Sequence, residues 1–367
     1  MAQLNRFYAA LLVTSAALTT ACDGCNDDES PQGGGGSPPI PVGGEGGVGG
    51  VGGAGGEGGD GTGGSGGEYI CPSPTSGTVF ALTQLSFGEG SNGQWKSIGY
   101  NIDGLVSDGS STDVCQPNAG GSANFAYPDG DDGIDNSFGK NLVPIILSLA
   151  PSWPDTVNTY LQEGFFNTMV KVYCLPPAGD ASGLTSKVFG GTALGSTPSY
   201  DGTDEWPVAP EILSDLEDPE SSTLILENGT VIGDAYDSGD PSTIILTIPI
   251  EFQDEITLIK LTLYEARLTM TLSEDRKSAT GGTIGGVLNV EEVIDQLDKV
   301  AFAAGVCSEA QYQTALTIVR QSADILNDGT QDPGSTCNAI SFGVSFEMAE
   351  VQLGPVGAPV TPGLSCQ

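Results

Sequence analysis

ITLIKLTLYEARLTMTL, residues 256–272, decides the fold class. Its second half alternates: Tyr264, Ala266, Leu268, Met270 and Leu272 fall on one side, Glu265, Arg267, Thr269 and Thr271 on the other. Side chains of an extended chain point alternately to opposite faces, so a period of two marks a strand with one face buried and one in water. Three further runs read the same way: TVFALTQLSF (78–87), STLILENGTVIG (222–233) and STIILTIPIEF (242–252). Each is rich in apolar or β-branched residues and bounded by Gly, Pro or Asp. Ile340, Phe342, Val344, Phe346 and Met348 repeat the alternation near the C-terminus.

Two helical regions interrupt the strands, near 141–166 and 289–327. In VEEVIDQLDKVAFAAG, Val290, Val293, Ile294, Leu297, Val300, Ala301 and Ala304 make one apolar stripe, acids open the helix and Gly305 closes it. Ser308 with Gln311 has the spacing of a capping box for a second helix, and Asn141 is placed to cap a third with Pro144 in its first turn. The expected architecture is a mainly β (α+β) domain over residues 69–367, a disulfide-bonded β-sandwich or jelly-roll-like fold with helical insertions.

Past residue 68 there are six cysteines: Cys71, Cys115, Cys174, Cys307, Cys337 and Cys366. An even six without zinc-type CxxC spacing argues for three disulfides in an oxidising compartment, with 15 connectivities open. Cys307–Cys337 is the preferred pair, since both flank one predicted helix. Cys25 is left over.

Composition excludes several chemistries. The 367 residues contain no histidine, 11 basic and 47 acidic residues, a net charge of −36. Without histidine there is no Ser-His-Asp or Cys-His nucleophile and no histidine metal ligand. An acid excess of this size repels phosphate backbones, so nucleic acid is not a partner. Catalysis would fall to carboxylates, a lysine or a carboxylate-bound metal.

The N-terminus reads as an export signal. In MAQLNRFYAALLVTSAALTTAC, Arg6 precedes a 15-residue apolar run, too short to span a bilayer, which ends in small residues. Leu18-Thr19-Thr20-Ala21-Cys22 resembles the bacterial lipobox, with Thr19 where the pattern prefers leucine. The resemblance implies a signal peptide over 1–21, lipid attachment at Cys22, and a membrane as partner through that anchor. Asp23 leaves the choice of membrane open; the outer membrane or cell surface is favoured over the inner membrane. Between 22 and 68 lies a tether: 21 glycines fall between Gly33 and Gly67, and residues 43–60 are six GGX triplets in register. Such a chain is a flexible coil, not a core.

One motif invites a chemical reading, YPDGDDGIDNSFGKN (127–141). It fails as a phosphate loop, because Asn141 stands where the magnesium-binding hydroxyl belongs. It fails as an EF-hand, because Lys140 stands where the bidentate glutamate belongs. Ser137 and Lys140 match SxxK, but the Lys-Thr-Gly element of serine penicillin-recognising enzymes is missing. Asp131, Asp132, Gly133, Ile134, Asp135 and Asn136 resemble the DxDGIxD repeats of thrombospondin type 3 calcium modules. That resemblance implies weak calcium binding through Asp129, Asp131, Asp132 and Asp135, and the competing reading is an Asx-rich turn. GIDNSFGKNLVPIIL, GGTIGGVLNVEEVIDQL and CNAISFGVSFEMAEVQLG are together similar to a set of myxobacterial lipoproteins with a lipobox and a Gly-rich tether. The similarity implies exposure in the cell envelope and no particular activity.

Three functional readings remain. SYDGTDEWPV (199–208) sets Asp201, Asp204 and Glu205 between Tyr200 and Trp206, the residue types that bind sugar hydroxyls and stack on a sugar face, which suggests a glycan or envelope-protein binding module. A carboxylate-pair glycoside hydrolase needs no histidine and is the enzymatic alternative, with no catalytic pair assignable. A passive envelope component is the third reading.

Overall fold

The computed structural model describes residues 71–73, 75–90, 93–252, 255–359 and 364–366. The segments read above as an export signal and a tether, with Cys22 and Cys25, lie outside the described residues.

Among the described residues, ten strands form one sheet: β1 (Gly77–Ser86), β2 (Asn167–Tyr173), β3 (Ala181–Gly191), β4 (Glu205–Val208), β5 (Ile225–Ile232), β6 (Ala235–Asp237), β7 (Ser242–Phe252), β8 (Glu255–Leu272), β9 (Ser278–Asn289) and β10 (Ala339–Val356). The fold is mainly β, as the alternating runs require. Antiparallel pairings run β1–β2–β3–β5–β6–β8–β9–β10 and return from β10 to β1, so eight strands close a ring. Closure removes the open edges that would otherwise invite pairing with other chains. β7 adds to the first half of β8, and β4 runs parallel to the end of β10. β7 also lies across from β2, β3 and β5, which gives the ring two facing layers.

The interior between the layers is filled by Phe80, Leu82, Val170, Val172, Leu246, Ile248, Leu263, Leu268, Phe342 and Val344, among others. A second cluster lies on the outside of the ring, where Met169, Phe189 and Val351 are covered by Trp206 and Val208 of β4. A third joins Val287, Ile325 and Ala339, with Tyr264 packed against it.

Tyr264 therefore does not share a face with Ala266, and the reason is a bulge. Glu265 has φ 48°, and the β8–β9 register shifts between Tyr264 and Arg267. One extra residue resets the alternation, so Leu261 and Leu263 point inward before it and Ala266, Leu268, Met270 and Leu272 after it.

Helices α1 (Ala123–Ala126), α2 (Val143–Leu149), α3 (Trp153–Gln162), α4 (Val290–Ala303) and α5 (Ala310–Gln321) decorate the sheet. α3 lies against β1 and β7, with Trp153 stacked on Phe87 at 4.3 Å between ring centroids. α4 buries Val290, Val293, Ile294 and Ala301 against the barrel, and Asn289 caps it by accepting from the Glu291 and Glu292 amides. Two cap expectations are corrected. A π-type turn over Phe138–Leu142 leads into α2, so Asn141 sits within it and bonds inward instead of capping. The N-cap of α5 is Glu309, with no side-chain cap bond, so the helix starts one residue later than a cap at Ser308 requires.

Among the described residues the disulfides are Cys71–Cys174, Cys115–Cys337 and Cys307–Cys366. The expected Cys307–Cys337 pair does not form. The backbone decides the partner: the Gln116–Thr336 bridge and the Cys337 amide donating to the Gln116 carbonyl at 2.9 Å set Cys337 beside Cys115. Cys337 is instead buried at the foot of β10 against Cys115, and Cys307, in the turn between α4 and α5, takes Cys366 of the C-terminal segment.

Candidate functional site

The motif at 127–141 becomes a polar plug at the foot of β10. Asp131 and Asp132 are exposed, while Asp135 is buried and Asp129 half-buried. Asp135 Oδ2 accepts from the Ile102 amide at 2.6 Å, and Asp129 Oδ2 accepts from the Ser107 amide. Among the described residues no group of three or more acidic, cysteine or histidine side chains is placed to hold a metal ion. The calcium set Asp129, Asp131, Asp132 and Asp135 is thus not assembled. Gly133, at φ +85°, and Asp132, at φ 55°, turn the chain so that two carboxylates face solvent and two face separate backbone amides.

Behind these carboxylates lies Asp324, which accepts from the Ser341 amide at 2.8 Å and from its hydroxyl at 2.5 Å. Lys140 donates to the carbonyls of Pro128, at 2.9 Å, and Ala126, at 3.3 Å. Burial drives the carboxyl pKa values up, Asp135 to about 9 and Asp129 to about 7, because the charged form loses its water. Asp103 raises both further through like-charge repulsion. Burial lowers Lys140 and raises Asp324, and attraction between the two opposes both shifts. Ser137 of the SxxK match is 2 % exposed; its hydroxyl donates to the Ser322 carbonyl at 2.6 Å and accepts from Asn141. A hydroxyl so engaged is not an accessible nucleophile.

The loop at 199–208 is a self-satisfied turn. Trp206 is 0 % exposed, part of the outer apolar cluster, and its indole N–H donates to the Thr192 carbonyl at 2.7 Å. The Tyr200 hydroxyl donates to the Leu161 carbonyl at 2.9 Å. Asp204 accepts from the amides of Ser199 and Tyr200, and Asp201 from Thr203. Glu205 is exposed at the start of β4. The Trp206 ring has no exposed face for stacking a sugar, and Tyr200 is half-buried against it, so the expected pair of rings flanking the carboxylates is not presented to solvent. Burying the indole against β3 and β10 outweighs leaving it in solvent.

A third cluster has no signature along the chain. Lys171 on β2 and Lys187 on β3 are direct cross-strand partners. Lys171 Nζ lies 2.6 Å from Glu220 Oε1 with its side chain 7 % exposed, and Lys187 Nζ donates to the Glu220 carbonyl at 2.8 Å. Both ammonium groups sit over the Tyr173 ring. Burial and Glu220 hold the Tyr173 phenol well above its ordinary pKa. Lys171, Lys187 and Glu220 are 16 to 49 positions apart in sequence, and only the fold brings them together.

No protein-family model, curated protein or solved structure matches the chain.

Proposed function

We propose that this chain is an exported lipoprotein whose β-rich domain is held off a membrane by its Gly-rich tether and works by binding, without catalysis. The carrying observation is that Asp135, Ser137 and Asp204, the polar side chains at the centre of the two candidate motifs, are engaged in hydrogen bonds that fix the backbone, while Asp131, Asp132 and Glu205 stand exposed. Three disulfides in the domain support an oxidising, exported location. The lipobox-like Leu18–Cys22 and the polar glycine-rich stretch after it support anchoring at Cys22.

The test is mass spectrometry of the mature protein with detergent partitioning. An acylated N-terminal cysteine is expected at Cys22, and Cys22→Ser is expected to move the protein to the soluble fraction. A mature N-terminus at another residue, or a wild type that partitions as soluble, would overturn the anchored reading.

A further inference from the structure

In a chain with 47 acidic and only 11 basic residues, setting two lysines directly opposite each other is a costly use of cations. Like charges at facing cross-strand positions repel, yet Lys171 and Lys187 occupy such a pair. The Tyr173 ring lies beneath both, with the ammonium groups 4.9 and 5.9 Å from its centroid, an arrangement that favours cations. Neither strand supplies the neutralising carboxylate. It comes from Glu220, in an acidic strap closed at its base by the Leu213–Ser222 bridge. The strap carries Asp215, Glu217, Asp218 and Glu220, no basic residue, and Leu216 standing 63 % exposed. Its carboxylate reaches Lys171, whereas Lys187 obtains only a backbone carbonyl.

We infer that Lys171, Lys187 and Tyr173 form a carboxylate-binding site that Glu220 fills in cis, closed for as long as the strap lies over it. The ligand class is a carboxylate carried by a partner, and the strap's own glutamate shows how it is received: one oxygen on the buried Lys171, the second lysine alongside, the ring beneath. This deepens the binding reading above and rests on it. Anchoring at Cys22 is read by mass spectrometry and the site by ligand titration, so either can fail alone.

The experiment uses the full-length protein in detergent, wild type and Glu220→Ala, with sodium acetate as probe against sodium chloride at matched ionic strength. Glu220→Ala is expected to melt a few degrees below wild type. Acetate, and not chloride, is expected to restore much of that loss along a saturating curve. Wild type, its site already filled, is expected to show no acetate-specific shift. Lys187→Met in the Glu220→Ala background is expected to abolish the rescue. Should Glu220→Ala fail to fold, Glu220→Ser, which keeps the strap and leaves the carboxylate's place empty, carries the same titration. A folded variant with no acetate-specific rise, a rescue that survives Lys187→Met, or an equal rescue by inorganic phosphate would each overturn the assignment.

Discussion

The amide of Asn136, 2 % exposed, donates to the carbonyls of Ile98 at 2.8 Å and Gly343 at 3.1 Å and accepts from the amides of Gly139 and Gly343. One side chain thereby ties the 95–99 loop, the π-type turn and β10 together. The approach is close enough that a Cβ on Gly343 would lie 2.3 Å from the Ile98 carbonyl oxygen. Asn136→Ala strands several buried donors and acceptors, each worth about 1–3 kcal/mol, so a loss of roughly 3–4 kcal/mol is expected in denaturant titration. Asn136→Asp should be as damaging, because it removes the donor and buries a charge. Trp206→Ala is expected to cost about 3–5 kcal/mol, measured the same way, as a core deletion rather than the loss of a sugar contact. The motif around Asn136 stood out in the sequence for its aspartates, which hid the asparagine beside them. Side-chain type was legible there; burial, which decides whether a carboxylate meets a metal or a backbone amide, was not.

Strands and helices were far more legible than their joins. The runs at 78–87 and 242–252 match β1 and β7 to within about a residue, because apolar periodicity records which face is dry. The stripe on α4 was readable for the same reason. What the periodicity of 256–272 concealed was the bulge, since an added residue changes parity without changing composition. Glu265 holds φ 48°, where a Cβ is disfavoured, so Glu265→Gly is expected to be neutral or to stabilise by up to about 1 kcal/mol, read from the thermal midpoint. Disulfide connectivity was equally hidden, because it depends on which element ends meet. Cys115–Cys337 spans 222 residues and Cys307–Cys366 only 59. On the chain-entropy account, removing the first as a double alanine variant should cost about 5 kcal/mol and the second about 4, an ordering checked by comparing their melting curves.

Across the whole molecule, acid excess and buried carboxyls act in the same direction. Asp129 and Asp135 titrate near 7 and 9 when folded, against an ordinary value near 4, so the folded state holds protons that the unfolded chain releases. Their contribution is complete below about pH 4 and is lost as pH rises through 7 and 9. Carboxyls held below their ordinary range, such as Asp237 beside Arg267, lose their contribution only at still lower pH. Lys140, lowered by burial, costs stability while unfolded chains protonate more readily, and that cost is relieved only in the alkaline range. The melting temperature is therefore expected to peak near pH 4–5 and fall toward pH 9. Asp135→Asn, which mimics the protonated form, should flatten the descent in a pH series of thermal scans. The pairing ring has a mechanical consequence as well. Cys71, ahead of β1, and Cys366, past β10, are each riveted to a distant part of the fold, one at the end of β2 and the other between α4 and α5. The shortest covalent route between Cys71 and Cys366 follows β1 to Cys115, crosses to Cys337 and continues along β10, bypassing most of the barrel. Pulled between its ends in an optical trap, the oxidised domain should yield only a small part of its contour length, and the reduced one should pay out nearly all of it.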